Sequence, residues 1–219
     1  MNVVVVDAGE PVGRLLVAGA LRRGHVVTAF GRSRLPTGAT GLESGASSAD
    51  ARLQAAGGDV LDPGAVIAAL VDQQAVLFAV EPPGGRGRAT RASEGMRHVV
   101  RAMTDLQVRR LVCLSIGGPG SERDGDSPGL LGRLLGTAPP KGALADLRQM
   151  EVTVRQSSLD WTIVRPARLV DDPAQHSWRA GPGYALPHGT KIARADVAEF
   201  MLDQLGDGAN VGHAVAVAW

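Results

Sequence analysis

A short turn that could bind an anion follows the first apolar run of the chain. Asp7, Gly9, Glu10 and Gly13 come directly after the apolar residues 3–6 and open a stretch with helical spacing. Glycines between a strand and a helix let the backbone approach a phosphate group, whose charge the helix N-terminus stabilises. The two carboxylates would repel such a group, at a cost on the order of a few kcal/mol for each close contact in a partly buried site. Alternatively, Glu10 occupies the helix N-terminus as an internal substitute for phosphate, or both side chains turn outward and the backbone still binds the anion.

Four aromatic or imidazole side chains that could hold a planar ligand lie late in the chain. They are His176, Trp178, Tyr184 and His188, in a chain that holds only three Phe, three Trp and one Tyr. Aromatic rings supply a large apolar surface, so this spacing predicts the wall of a substrate pocket. It matches no metal site, and we predict no bound metal.

The composition favours a globular protein that acts on a small molecule. The chain has 219 residues, 44% of them hydrophobic, and a formal net charge of +1 with both signs interspersed. We therefore expect no nucleic acid or membrane as a partner. The first residues lack the charged region of a signal peptide, and no apolar run is long enough to cross a bilayer, so we expect a cytoplasmic protein. Cys113, the single cysteine, lies in an apolar run and is expected to be a buried thiol without a catalytic role.

Short β-branched runs alternate with segments of helical periodicity, which is typical of parallel βαβ units. Strands are predicted at residues 3–6, 25–30, 75–80, 109–115, 161–164 and 214–218. Residues 35–50 are rich in Gly, Ser, Thr and Ala and favour a flexible loop. The Gly- and Pro-rich residues 117–142 follow the fifth strand and are either a substrate lid or a solvated surface loop.

Helices are predicted between these strands. The first covers residues 11–23, with the inward side chains Val12, Leu15, Leu16 and Ala20. The second begins at the N-cap Asp62 and places on one face Val66, Ile67, Leu70 and Val71. Later helices have the inward series Met96, Val99, Val100, Met103 and Leu106, and Val197, Phe200, Met201 and Leu205. Three arginines are expected to be solvated in a loop and at the start of a helix: Arg86, Arg88 and Arg91.

Several stretches, in this order, resemble the NmrA-like, atypical short-chain dehydrogenase/reductase group, and most of all its biliverdin reductase B and flavin reductase members. They are HVVTAFGR (25–32), GDVLDP (58–63), SEGMR (93–97), RLVCLS (110–115), DWTIVRP (160–166) and RADV (194–197). The resemblance implies an α/β fold, a Rossmann-like doubly wound parallel sheet with strand order 3-2-1-4-5-6 and a seventh strand. It also implies a single NAD(P)-binding domain over residues 1–219, with a small substrate lobe from segments about 116–143 and 167–193.

The resemblance also implies where a dinucleotide would bind. The group has a Gly-x-x-Gly-x-x-Gly turn, which here reads Asp7, Glu10 and Gly13, with Gly9 as an extra glycine inside it.

The position after the second strand points to NADP. NAD-binding proteins carry an acid there, whereas this chain has Arg32, with Arg34 nearby. A guanidinium suits a ribose 2′-phosphate, which predicts NADP as the cofactor, although Arg32 could also be an ordinary solvated loop residue. By resemblance Asp59 and Val60 border the adenine, and Pro166 is a further cofactor contact.

The expected catalytic machinery is sparse. Classical short-chain dehydrogenases use Tyr-x-x-x-Lys, which cannot exist here because the fourth residue after Tyr184, the only tyrosine, is His188. Ser115 matches the serine that biliverdin reductase B-like enzymes place beside the nicotinamide, and otherwise bonds its own backbone. Where those enzymes carry a histidine after the sixth strand this chain has Ala167, and Arg168 next to it either binds an acidic substrate or faces solvent.

Three functions are compatible with these residues. The first is an NADPH-dependent reductase of a flavin, a quinone or another planar conjugated molecule. The second is the same fold repurposed for a redox-neutral cyclisation, dehydration or isomerisation without dinucleotide, for which Asp7 and Glu10 are the evidence. The third is a non-enzymatic NADP sensor of the NmrA type. Fold analogy alone does not choose among them.

Overall fold

A computed structural model of the protein describes residues 1–32, 50–80, 91–115, 142–184, 186 and 190–219. Positions singled out above that lie outside these ranges are Arg34, Arg86, Arg88, His188, residues 35–49 of the predicted flexible loop, and residues 117–141 of the predicted lid. Within the described ranges, no helix is long and apolar enough to span a bilayer.

The described residues form one sheet of eight strands, seven of them parallel, and a second sheet of two strands. In chain order the strands are β1 (Asn2–Val6), β2 (Val26–Gly31), β3 (Leu53–Gly57), β4 (Ala75–Phe78), β5 (Arg110–Leu114), β6 (Asp160–Pro166), β7 (Arg168–Val170), β8 (Arg179–Pro182), β9 (Lys191–Ala193) and β10 (His213–Ala218). The large sheet has the order β3-β2-β1-β4-β5-β6-β10-β8, with β8 antiparallel at its edge, while β7 pairs with β9. The predicted fold class and strand order are confirmed, with β10 as the seventh strand.

The central position of β1 explains its sequence. Val3 lies opposite Val27 of β2 on one side and Ala75 of β4 on the other. The four valines from Val3 to Val6 are fully buried, because helices cover both faces of the sheet. A strand that is buried on both faces has an unbroken apolar sequence. Because β1 is central, the loop that follows it lies in the middle of the row formed by the carboxyl ends of the strands.

Five α-helices and one short 3₁₀-helix (Asp50–Arg52) lie within the described ranges. The α-helices are α1 (Pro11–Arg22), α2 (Pro63–Leu70), α3 (Arg91–Asp105), α4 (Ala143–Arg155) and α5 (Arg194–Asp203). Helices α1 and α5 pack in one apolar cluster on one face of the sheet, and α2, α3 and α4 in a second cluster on the other. The helices cover both faces of the sheet and leave the carboxyl ends of the parallel strands uncovered. In α/β proteins, ligands bind at these carboxyl ends.

Three apolar side chains predicted to point inward are exposed instead. Leu15 is 36% exposed, Ile67 39% and Val71 49%. Leu15 and Ile67 each stand one residue, or about 100° around the helix axis, from a side chain that packs on the sheet. Val71 lies beyond the last residue of α2, where the chain has already turned extended. The prediction for these three residues was wrong, because only packing decides which of two adjacent apolar side chains is buried.

The N-terminus of α2 is capped as predicted. The Asp62 carboxylate accepts hydrogen bonds from the backbone N–H groups of Gly64, at 2.9 Å, and Ala65, at 3.2 Å. Pro63 follows at the first helical position, where its missing N–H is not needed.

We expect Asp62→Ala to lower the free energy of unfolding by about 1 kcal/mol, the usual cost of losing an N-cap. Urea denaturation measures this change. The matched control is Asp105→Ala, which removes an exposed carboxylate 3.8 Å from Arg101 within one turn of α3, at an expected cost of about 0.5 kcal/mol or less. Equal losses in the two variants would contradict a capping role.

Candidate functional site

The loop after β1 keeps a glycine-like backbone although it carries an aspartate. Asp7 has a φ of 59°, in the left-handed region that glycine favours. The backbone N–H of Glu10 donates to the Asp7 carbonyl at 3.0 Å and closes the turn into α1. A Cβ at Gly13 would lie 2.2 Å from that carbonyl oxygen, so α1 approaches β1 this closely only with a glycine there. The loop therefore has the tight strand-to-helix turn that phosphate binding requires.

Glu10 does not act as a capping group for α1. It is the N-cap residue and only half-buried, but its side chain makes no capping hydrogen bond. Pro11 follows at the first helical position and lacks an N–H. The Arg14 guanidinium instead donates to the carbonyl of Gly9, inside the loop. Glu10 is therefore not the internal substitute for phosphate that was considered above.

The carboxylate of Asp7 is buried against a cation from a distant part of the chain. Its Oδ1 accepts a hydrogen bond from Nη2 of Arg91 at 2.6 Å, and the two side chains are 8% and 6% exposed. The guanidinium also donates from Nη1 to Oδ1 of Asp59, after β3. The prediction that Arg91 is solvated was wrong, because two carboxylates at the sheet edge require a buried counter-charge.

The pKa values in this cluster follow from the pairing. Burial, the largest influence on Asp59, opposes its ionisation, but the backbone N–H of Leu61 and the cation of Arg91 outweigh it and lower the pKa of the carboxyl. Burial likewise opposes the charge of Arg91, and the hydrogen bonds to Asp7 and Asp59 outweigh it and raise the pKa of the guanidinium. The cluster therefore remains ionised around neutral pH at these two groups.

Arg32 extends the cluster to the end of β2. Its Nε lies 3.8 Å from Oδ2 of Asp59, and its side chain is 60% exposed. Arg32, Asp59, Arg91 and Asp7 thus form a series of alternating charge along the carboxyl ends of three strands, with two cations and two carboxylates. We call these four residues the charge series. Its exposed end is a guanidinium that a phosphate could reach from solvent.

Two other predicted cofactor contacts, Val60 and Pro166, also follow or end strands of the sheet, but they are buried whereas Arg32 is exposed. Val60 is fully buried, and its carbonyl lies 3.1 Å from Nδ1 of His98. Pro166 is buried at the end of β6, in register with Val217 of β10. The residues that fit a dinucleotide best are therefore Gly9 and Gly13 in the turn, and Arg32 beyond β2.

Ser115 lies just past β5 and faces a buried carboxylate. It is 1% exposed, and its Oγ has no partner at hydrogen-bond geometry among the described residues. Glu151 of α4 is close enough for the hydroxyl to favour its charged form, and is bound by Arg165 of β6, whose Nε lies 2.9 Å from Oε1. Burial, the largest influence on Glu151, opposes ionisation, but Arg165, Ser115 and Arg155 outweigh it and lower the pKa of the carboxyl. Sequence reasoning missed this carboxylate.

The next helix after β5 within the described ranges carries no tyrosine–lysine pair. Helix α4 contains neither tyrosine nor lysine, in line with the absence of Tyr-x-x-x-Lys. Cys113 is fully buried in β5, and burial raises the pKa of its thiol far above the ordinary range. The prediction of a buried thiol is confirmed, and such a thiol is not a nucleophile at neutral pH.

The predicted substrate side chains are spread over the segment after β6. Trp178 packs edge to face on Phe200 of α5, with ring centroids 6.1 Å apart, while Arg168 and His176 are exposed. Tyr184 lines a cavity of about 240 Å³ together with Arg155, Arg165 and other residues. Trp178 and Tyr184 pack against the same apolar cluster, but only Tyr184 lines this cavity, and their role in binding a substrate stays a prediction.

A buried aspartate organises this segment. Asp196 of α5 is fully buried and accepts hydrogen bonds from the backbone N–H groups of Gln175 and His176, each at 2.9 Å. Its Oδ2 also accepts from the indole N–H of Trp219 at 2.7 Å. His176 has a φ of 51°, so its backbone turns sharply at this anchor. The sequence pattern placed Asp196 in a motif without indicating this role.

Comparison with known proteins places this geometry among dinucleotide-binding folds. The chain matches the family described as NAD(P)H-binding over residues 8–208, and no curated protein matches it. A short-chain dehydrogenase/reductase of Veillonella parvula, solved in complex with NADP, is 20% identical, with a TM-score of 0.78, and the match covers 100% of this chain and 94% of that one. A candidate exported protein of Burkholderia pseudomallei is 23% identical, with a TM-score of 0.76 and full coverage of both chains. A candidate NADH-flavin reductase of Streptococcus pneumoniae is 20% identical, with a TM-score of 0.73, and the match covers 100% of this chain and 99% of that one.

The pKa of Glu151 is lower in the folded protein than in the unfolded chain, where it is about 4.3. Its ionisation therefore stabilises the folded protein at pH values above about 4.3. This contribution is lost as the pH falls through the folded pKa. We expect Glu151→Gln to lower the free energy of unfolding at pH 7 by about 3 kcal/mol, since it leaves the guanidinium of Arg165, whose side chain is only 15% exposed, without its carboxylate. The difference from the unmodified protein should shrink as the pH falls below about 4.

Urea denaturation between pH 7 and pH 3 measures both quantities. Asp171→Asn is the control, because that carboxylate is 87% exposed in its pair with Arg194; we expect a change within about 0.5 kcal/mol. A Glu151→Gln difference that stays constant over this pH range would contradict the assignment.

Proposed function

The chain belongs to the NAD(P)H-binding family, and from this premise we propose that it is an NADPH-dependent reductase of a flavin, a quinone or another planar conjugated small molecule. Family membership confirms that the chain is of the predicted NAD(P)H-binding class. The observation that carries the proposal is the turn after β1, where Gly13 admits α1 to within contact of the Asp7 carbonyl. When bound, the nicotinamide supplies a hydride, so the chain itself needs few catalytic side chains.

The choice of NADPH over NADH rests on Arg32. Its guanidinium stands after β2, where an acid would select NAD, and is 60% exposed. A guanidinium binds a phosphate through two parallel charged hydrogen bonds. The carboxylate of Asp59, at 3.8 Å, orients Arg32 without fully occupying it. In this proposal Arg32 binds the ribose 2′-phosphate, and Gly9 and Gly13 allow the backbone to approach the diphosphate.

Ser115 is the side chain assigned to the reacting end of the site. It stands at the carboxyl end of β5, where ligands bind in open α/β sheets. Its hydroxyl lies beside Glu151, which Arg165 holds in its charged form. Because this hydroxyl has no hydrogen-bond partner among the described residues, it is available to position a substrate carbonyl or a water. The reductase class is also that of the candidate NADH-flavin reductase among the fold relatives.

One observation favours a second candidate, a redox-neutral cyclisation, dehydration or isomerisation on the same fold. Asp7 places a buried carboxylate in the turn where a diphosphate would lie, and its bond to Arg91 fixes it there. In that case the pocket would act without dinucleotide. Titration with NADPH separates the two, since only the reductase and an NADP sensor bind it, and turnover of an acceptor then separates the reductase from the sensor.

We expect NADPH to bind more tightly than NADH, and Arg32→Ala to remove most of this difference, on the order of tenfold or more for a charge-assisted contact. Calorimetry with both dinucleotides measures it. The control is Arg101→Ala, which removes an 84% exposed arginine of α3 and should leave both affinities unchanged. Equal affinities for NADPH and NADH in the unmodified protein would refute the role of Arg32.

Ser115→Ala is expected to lower the turnover of a flavin or quinone acceptor about tenfold or more while leaving the fold intact, because apolar neighbours hold β5. Steady-state rates with NADPH and a thermal unfolding curve provide the two readouts. Ser158→Ala, at an exposed serine in the turn before β6, is the control and should affect neither. An unchanged rate in Ser115→Ala would make Ser115 a structural residue.

A further inference from the structure

We propose that Arg91 exchanges its partner when the dinucleotide binds: the guanidinium leaves Asp7 and binds the diphosphate, so that Asp7 serves as a built-in placeholder for that anion. This inference rests on the proposed function, because it requires a dinucleotide in the site. It assigns Arg91, on α3, a part in cofactor recognition in addition to the turn and to Arg32.

The first argument is the position of the pair. Asp7 stands at the start of the turn, in the backbone conformation that a glycine would adopt there, with a φ of 59°. Its side chain therefore occupies the space that a glycine at this position would keep open for a ligand. The atom that fills this space, Oδ1, is bound at 2.6 Å by Nη2 of Arg91. The guanidinium is thus already directed at the turn.

The second argument is the charge of the cluster. Arg91 lies between two carboxylates, and the charge series sums to zero. A diphosphate that entered beside an unmoved Asp7 would meet an anion in a buried place, which is strongly unfavourable. A guanidinium, by contrast, binds phosphate oxygens at least as well as a carboxylate. Transfer of Arg91 from Asp7 to the ligand lets the buried cation keep an anionic partner throughout, and the Asp7 side chain turns toward solvent as the diphosphate takes its place, so that no buried charge is left unpaired.

The third argument is that Asp59 can hold Arg91 in place during the exchange. It binds Nη1, whereas Asp7 binds Nη2, so one half of the guanidinium can change partner while the other half stays fixed. Asp59 is also 33% exposed, compared with 8% for Asp7, and belongs to the part of the cluster that solvent reaches. The exchange therefore requires a local rotation and no unfolding of α3.

The exchange makes a prediction that simple repulsion by Asp7 does not. If Arg91 only neutralises the two carboxylates, Asp7→Asn/Arg91→Gln should bind NADPH as Asp7→Asn does, because Asp7 has lost its charge and Asp59 still has Arg32 at 3.8 Å as its counter-charge. If Arg91 binds the diphosphate, the double variant should bind about tenfold or more weakly than Asp7→Asn. Asparagine is the appropriate replacement because it tolerates the left-handed backbone and removes only the charge.

The experiment is calorimetric titration of the unmodified protein, Asp7→Asn and Asp7→Asn/Arg91→Gln with NADPH and with NADH, with thermal unfolding of each protein in the absence of nucleotide. We expect Asp7→Asn to gain affinity about tenfold, because the ligand no longer competes with an internal anion, and to unfold at a lower temperature. The double variant should lose the same factor for NADPH and NADH, since both carry the diphosphate. Glu10→Gln is the control: its carboxylate has no capping bond, and its effect should not depend on Arg91.

Each other outcome overturns the exchange. Equal affinities of Asp7→Asn and the double variant would overturn the exchange and leave the proposed function intact. A loss of affinity confined to NADPH would do the same, because it would show that Arg91 binds the 2′-phosphate. If no variant binds either dinucleotide, the proposed function fails and the exchange with it. If the double variant unfolds, Asp7→Asn/Arg91→Lys replaces it. Lysine keeps the positive charge but cannot make the two-point contact of a guanidinium. An affinity equal to that of Asp7→Asn would then contradict the exchange.

Discussion

The buried guanidinium of Arg91 is the interaction on which the carboxyl edge of the sheet depends. Through Asp7 and Asp59 it ties the ends of β1 and β3 to the first residue of α3. An uncompensated charge at this depth would cost several kcal/mol, so the three side chains are stable only together. This cation is the reason that the turn can hold a carboxylate in a place where members of the resembled group carry a glycine.

The interior of the sheet could be predicted from the sequence, but its margins could not. The valines of β1 and the series Met96, Val99 and Met103 of α3 are buried, as their periodicity indicates. At these core positions a single strand or helix faces the interior, so the apolar pattern decides which side chains are buried. Strand β3, Leu53–Gly57, contains no β-branched residue and gives no strand pattern. Leu15 and Ile67 are as apolar as their buried neighbours, and only the packing of α1 and α2 decides between them.

Within the candidate site, local features could be predicted and distant pairings could not. Gly13 and Arg32 follow directly from their positions after a strand. Arg91 and its partner Asp7 are 84 residues apart, a distance over which no periodicity operates. A signal did exist, since Asp7 directly follows an apolar strand and a buried carboxylate requires a cation. Glu151 likewise shares the inward spacing of Met150 and Val154 on α4, where a charge demands a partner.

Asp196 bears on how readily the protein can acquire new specificity. Two of its three partners are main-chain N–H groups, of Gln175 and His176, which are present whatever side chains stand there, and the third is the indole of Trp219. At residues 175 and 176, the segment between β7 and β9 is thus anchored to the scaffold by bonds that do not depend on its own side chains. Substitutions of the exposed side chains of Gln175 and His176 change the surface offered to a ligand at little cost in folding free energy, so a fixed framework carries a surface that can vary.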